Sequence, residues 1–179
     1  RIGAITNSAY FTAVDGAHAA TILNDRVALG MQNVNNIATH ETFFQLDTGS
    51  PHYVAFVEDV NAINVNQEGE LIRNSPMFEE DGINVNFVQE NADNQLFVRT
   101  YERGVEDETL SCGTGAVASA IASFNRTPER FNATDKIKIP VKVAGGELSV
   151  EFKQKNNKSY HSIYLTGPAM MVYAGKITI

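Results

Sequence analysis

Tyr101-Glu102-Arg103-Gly104-Val105-Glu106-Asp107-Glu108-Thr109-Leu110-Ser111-Cys112-Gly113-Thr114-Gly115 is the stretch on which the reading of this chain turns. It holds the only cysteine of the 179 residues. Upstream, residues 95–100 are β-rich with partial alternation and read as a strand. Downstream, residues 116–124 are alanine-rich, with Val117, Ala120, Ile121 and Phe124 at helical spacing. The cysteine therefore sits at a strand-to-helix junction. Ser111 is placed to cap the helix, and Gly113 and Gly115 let the first turn approach something closely.

A helix start leaves backbone N–H groups without partners and carries roughly half a positive charge. A thiolate held there is stabilised, so the thiol pKa is expected to fall below the free value of about 8.5. The same amides can seat a carboxylate or phosphate. Cys112 is thus a candidate nucleophile or base beside an anion seat, set against the plainer reading of a small buried hydrophobe.

The string Glu102-Arg103-Gly104, then Glu108-Thr109, then Cys112-Gly113-Thr114-Gly115 resembles the second signature of the diaminopimelate epimerases. The resemblance continues through Gly49-Ser50-Pro51-His52 and through Gly82-Ile83-Asn84-Val85-Asn86-Phe87-Val88-Gln89. It covers most of the chain from about residue 42 onward. It implies an α+β fold in which each lobe is a β-barrel-like sheet wrapped around a central helix. The absence of a polar face on the helix after Cys112 independently asks for burial inside a curled sheet.

On that basis residues 37–170 are expected to form one complete lobe, and residues 1–36 a β-meander left from another. Residues 171–179 are expected to close the fold as a strand returning to the meander. The family carries an earlier Cys-Gly-Asn-Gly signature. Because the chain opens at Arg1 without it, the expectation is an incomplete and inactive fragment.

Composition narrows the partners. Hydrophobic residues make up 43% and charged residues 20%, a balance that supports a globular core. A formal charge of −7 argues against a nucleic-acid partner, and no run of about 18 apolar residues proposes a membrane span. One cysteine excludes an internal disulfide and any multi-cysteine metal site. With no secretory pattern at the start, a reducing cytoplasm is the expected setting, and the three Asn-x-Ser/Thr matches at Asn125, Asn132 and Asn157 read as chance. The acidic run Glu79-Glu80-Asp81 reads as a solvated loop rather than a metal site.

Along the chain, residues 10–14, 19–23 and 26–29 read as a meander with turns at Asp15-Gly16 and Asn24-Asp25. Residues 34–39 are a polar connector. Strands follow at residues 42–46, 53–57, 83–89, 136–143, 147–153, 160–166 and 170–179, with a short helix over 66–74. His18, His40 and His161 read as structural or exposed. His52 lies at the Gly-Ser-Pro-His turn, placed to face a cleft at the strand ends. Alternation puts Asn84 and Asn86 on one face of their strand, where either a substrate carboxylate or loop backbone would supply the partner a buried amide needs.

What the resemblance implies is specific. Epimerisation at an α-carbon needs a base on one face and an acid on the other, and Cys112 is implied to be one of two such thiols. The amides of Gly113, Thr114 and Gly115 would seat the α-carboxylate. Arg103 and Asn84 would hold the distal carboxylate, with Glu102 also in the substrate set. Glu102 and His52 would modulate the thiol, although Glu102-Arg103 also reads as a surface ion pair. Ser50 stands where the family more usually has asparagine, so its binding role is weaker. No cofactor and no metal are implied. The substrate would be LL-2,6-diaminopimelate, a small diamino dicarboxylate converted to the meso form for lysine and cell-wall synthesis, with a homodimer left open. Two alternatives stand beside this: a Cys112–His52 hydrolase or acyl transferase, and a carboxylate-binding lobe without catalysis.

Overall fold

In the computed structural model, residues 5–131 and 136–177 are described. Their twelve strands form a single sheet. The meander is β1 (Ser8–Ala13), β2 (Gly16–Leu23) and β3 (Arg26–Gly30). Then come β4 (Ile37–Thr39), β5 (Phe44–Asp47) and β6 (Pro51–Phe56). A 3-10 turn at Val60–Ala62 and helix α1 (Val65–Arg73) lead to β7 (Asn84–Glu90), β8 (Leu96–Glu102) and β9 (Asp107–Thr109). Helix α2 (Gly113–Arg126) precedes β10 (Ile137–Val143), β11 (Gly146–Asn156) and β12 (Ser159–Pro168).

The sheet runs β1-β2-β3-β12-β11-β10-β8-β7-β6-β5-β4, with β9 paired to β8. Two neighbours are parallel, β6 with β7 and β8 with β10. A parallel pair needs a crossover, and α1 and α2 lie on those two crossovers.

The sheet curls around α2, which touches β5, β6, β7, β8, β10, β11 and β12. Every residue from Gly115 to Phe124 is buried. A helix with no polar face finds apolar walls on all sides here, supplied by Val54, Val88, Val98, Ile139, Val150, Phe152 and Tyr160 among others. The expected α+β architecture, a barrel-like sheet around a central helix, is the one observed. Helix α1 instead covers the outer face of β7 and β8, where Val65, Val85, Phe87 and Tyr101 share a second apolar cluster. Strand β7 is consequently buried on both faces: Val85 and Phe87 face α1's side, while Val88 joins the α2 core.

Helix α1 is legible in its ends. Asn64 accepts from the Gln67 amide, Glu68 lies in the first turn and Arg73 in the last, in keeping with the helix dipole. Its Gly69 is pressed on Tyr101, where a Cβ would overlap the ring.

The expected strand over 170–179 is a correction. Residues 169–177 carry no strand, and Met170, Met171, Val172, Tyr173 and Ile177 are exposed. Strand β12, from which the segment departs, is already flanked by β3 and β11, so it offers no free edge. The last two positions of that expected strand, and Asn132, lie outside the described residues.

Candidate active site

Cys112 is the N-cap residue of α2, with extended backbone and no side-chain cap hydrogen bond. Ser111, expected as the cap, is exposed one residue earlier, so the helix begins a residue later than the sequence suggested. The Cys112 side chain is 7% exposed. Its Sγ lies 3.5 Å from the Thr114 hydroxyl, and the backbone N–H groups of Thr114 and Gly115 favour its anion without forming a cap hydrogen bond.

Burial nonetheless decides the acidity. Loss of water raises the Cys112 pKa above the ordinary thiol value, against the lowering pull of the Thr114 hydroxyl and the two amides, and the nearby Glu102 carboxylate adds to the rise. The expectation of a depressed pKa is therefore corrected. The helix start is present, but desolvation of the thiolate outweighs it.

Around this thiol the other predicted residues gather. The loop between β5 and β6 turns at Gly49, whose φ is +104°, and Asp47 Oδ1 accepts the Gly49 amide at 2.8 Å. Buried Thr48 donates its hydroxyl to the Thr114 carbonyl at 3.0 Å, fastening this loop to the first turn of α2. Ser50 Oγ accepts from Asn84 Nδ2 at 2.8 Å, and the same nitrogen donates to the Pro51 carbonyl at 2.9 Å. Asn84 Oδ1 accepts the Arg103 amide at 3.0 Å. The question left open for Asn84 is answered by protein partners: loop backbone, Ser50 and Arg103 satisfy its amide.

Glu102 and Arg103 direct their charged ends apart rather than at one another. Thr109 donates to Glu102 Oε2 at 2.9 Å, and Arg103 Nη1 donates to the Asp81 carbonyl at 2.7 Å. The surface ion-pair reading is thereby set aside. Gly113, half-buried, has Leu165 over it, so a side chain there would meet apolar contact at 3.0 Å.

His52 is fully buried on β6, opposite Asn84 of β7 in the parallel register. Asn86 Nδ2 lies 3.0 Å from its Nδ1, and His52 Nε2 finds no hydrogen-bond partner among the described residues. Burial, reinforced by the positive charge of Arg103, lowers the His52 pKa from 6.5 to about 3, so the ring is neutral at working pH.

Two contributors were not singled out from the sequence. Thr48 and Thr100 carry no motif signal; both are buried, and Thr100 donates to Asn86 Oδ1 at 3.0 Å. Asn86 was legible as inward-facing by alternation, but not as a partner of His52. The remaining histidines play other parts. His18 is buried and bonded to Gly30 and Asp15, His40 stacks on Phe43, and His161 bonds to Ser162.

The diaminopimelate epimerase family model matches residues 44–172, which span the Gly-Ser-Pro-His turn, β7 and the Cys112 junction. A curated diaminopimelate epimerase from Flavobacterium psychrophilum is 43% identical over 97% of this chain, which covers 66% of that relative. One from Chlorobaculum tepidum is 46% identical over 75% of this chain and 49% of its own length. Thus the chain spans between about half and two thirds of these relatives. In three dimensions it overlays a probable proline racemase from Agrobacterium radiobacter K84 with a TM-score of 0.65, at 17% identity, over 97% of this chain and 61% of that one. That likeness speaks for the fold, a mixed sheet around an interior helix. With the family model spanning every motif that surrounds the thiol, the chain belongs to the diaminopimelate epimerase family.

Proposed function

We propose that this chain supplies one wall of a cofactor-independent epimerase site that interconverts LL- and meso-2,6-diaminopimelate by proton transfer between two thiols, Cys112 being one of them. The observation that carries this reading is the convergence at one helix start. Cys112 caps α2, and Glu102, Thr114 and Gly115 all act on its sulfur. Asn84 joins Ser50 to Arg103 on the adjoining strand ends.

Removing a proton from an α-carbon and returning one to the opposite face needs both groups held in place and water excluded. A thiol suits the task once its acidity is brought near working pH. Cys112 rests as the protonated thiol, ready to donate, and the nearby charge of Glu102 helps to hold it so. Amides of the α2 first turn would seat the α-carboxylate. The guanidinium of Arg103, anchored through Nη1 on the Asp81 carbonyl, would hold the distal one with its remaining N–H groups. Asn84 acts by fixing Ser50 and the Arg103 backbone, and the Ser50 hydroxyl proton is available to a ligand because its oxygen is the acceptor toward Asn84.

The 179 residues hold one thiol, so the second acid or base must come from beyond them. We propose that residues 37–170 form the working lobe with residues 1–36 as the remnant of an N-terminal lobe, and that a reducing cytoplasm is the setting. A homodimer remains part of the proposal as an open assembly. The Cys–His hydrolase reading is disfavoured, since an imidazole neutral down to about pH 3 is a poor proton acceptor.

The test is exchange of the substrate α-hydrogen in heavy water, comparing this chain with a longer one that includes upstream residues bearing a second cysteine. The longer chain exchanges, its Cys112→Ser variant falls by about 100-fold or more, and the 179-residue chain alone does not turn over. Equal rates for short and long chains would overturn the two-thiol reading.

A further inference from the structure

Asn86 lies at the centre of a buried polar chain that the proton-transfer scheme above does not use. Asn86 and His52 are both fully buried, and Thr100 nearly so. The Asn86 amide nitrogen donates to the Tyr53 carbonyl at 2.8 Å and points its other hydrogen at His52 Nδ1, 3.0 Å away. Its Oδ1 accepts the Thr100 hydroxyl at 3.0 Å.

This arrangement fixes the amide. Turned over, Oδ1 would face the Tyr53 carbonyl, acceptor against acceptor. With Nδ2 held as a donor, His52 Nδ1 must be the acceptor, and a neutral imidazole with one acceptor nitrogen carries its proton on the other. A second proton could bind only at Nδ1, against the Asn86 N–H. The same amide also abuts the helix that bears the thiol. A Cβ at Gly115 would overlap Asn86 Oδ1 and lie 3.3 Å from Cys112 Sγ, so Gly115 is what allows Asn86 to reach between the ring and the start of α2.

We propose that Asn86 is a positioning residue that holds His52 as the neutral Nε2–H tautomer, so that the ring presents a hydrogen-bond donor at Nε2 rather than a base. Burial and Arg103, which is the charged group acting on this ring, work in the same direction by disfavouring the imidazolium. The buried Nε2–H, without a partner among the described residues, is the donor left to be satisfied. The inference rests on the epimerase reading for its place in a reaction, but the tautomer stands on geometry alone.

Nitrogen-15 spectra of this chain with labelled histidines test it. There are four histidines, and a His52→Gln spectrum identifies the signals of interest. The wild type shows His52 protonated at Nε2 and bare at Nδ1, with no titration between about pH 5 and 8. In Asn86→Asp the carboxylate accepts from Nδ1, the proton appears there, and the His52 pKa rises by about 1–3 units. In Asn86→Ala the ring loses its lock and the two tautomers mix. A purely structural asparagine would lower the melting temperature and leave the tautomer as it was, and that outcome overturns the proposal. A wild-type His52 protonated at Nδ1, or titrating near 6.5, does so without any variant having to fold. Absence of α-hydrogen exchange in the longer chain bearing a second cysteine, with this tautomer pattern intact, would count against the epimerase reading alone.

Discussion

At Cys112 two effects of opposite sign meet on one sulfur. Amides and a hydroxyl at the helix start favour the thiolate; burial and the Glu102 carboxylate favour the thiol and prevail. The rate at which iodoacetamide alkylates this chain should therefore rise at higher pH than for a free cysteine, and stay slow near neutrality. A profile lying at or below the ordinary thiol range would show that the helix start wins after all. The sequence made the junction readable through Gly113, Thr114 and Gly115, which mark where a helix begins. It did not make the depth of the sulfur readable, because that depth depends on how a sheet of strands distant along the chain curls around α2. Asn84 and Asn86 follow the same rule. Alternation put them on the inner face, while their partners, Ser50 and His52, lie 34 residues earlier.

Among the elements, β8 and β9 present Glu102 and Arg103, and Arg99 holds that hairpin to its surroundings. Its Nε and Nη2 each donate to the Glu108 carboxylate at 2.7 Å, and Nη1 donates to the Val60 and Ile63 carbonyls at 3.0 and 3.1 Å. A lysine cannot reproduce that fork. Arg99→Lys should cost about 1–3 kcal/mol in urea unfolding, and an unchanged midpoint would show the fork to be dispensable. Helix α2 and the three meander strands were legible because their signals are local: an alanine-rich apolar run, and Asp-Gly and Asn-Asp turns. The segment after Pro168 was misread for want of a local signal. Its apolar residues suit a strand, but β12, from which it departs, is already paired on both edges.

For the molecule as a whole, the meander and the site loop are joined through a buried histidine. Both ring nitrogens of His18 face acceptors, Gly30 O and Asp15 Oδ1, each at 2.8 Å, and Asp15 packs on Gly49. The bond to the Gly30 carbonyl, with that to Asp15, raises the His18 pKa above 6.5. A group whose folded pKa is raised stabilises fully below its unfolded value and loses that contribution as pH climbs through the folded one. The stability advantage of the wild type over His18→Gln should therefore shrink as the pH climbs above the ordinary histidine value of 6.5. A gap constant with pH would mean that the ring has the same pKa folded and unfolded. Sheet order is the level at which sequence informs least. The β8–β10 pairing rests on Val141 beside Leu96 and Lys142 beside Phe97, with a helix between them in the chain, and no short pattern encodes that.

The pairing of β3 with β12 sets Arg26 against Pro168 and Gly30 against Tyr164. On a ribosome, the meander must wait for almost the whole chain to emerge before its third strand finds its neighbour. At about 5–20 residues per second, β3 spends many seconds with that edge bare. The exposed Tyr10, Phe11 and Val14 at the opposite edge of the meander add to the apolar surface shown to other nascent chains during that interval. For this fold, then, vulnerability to aggregation is a matter of timing, and slowing synthesis would prolong it.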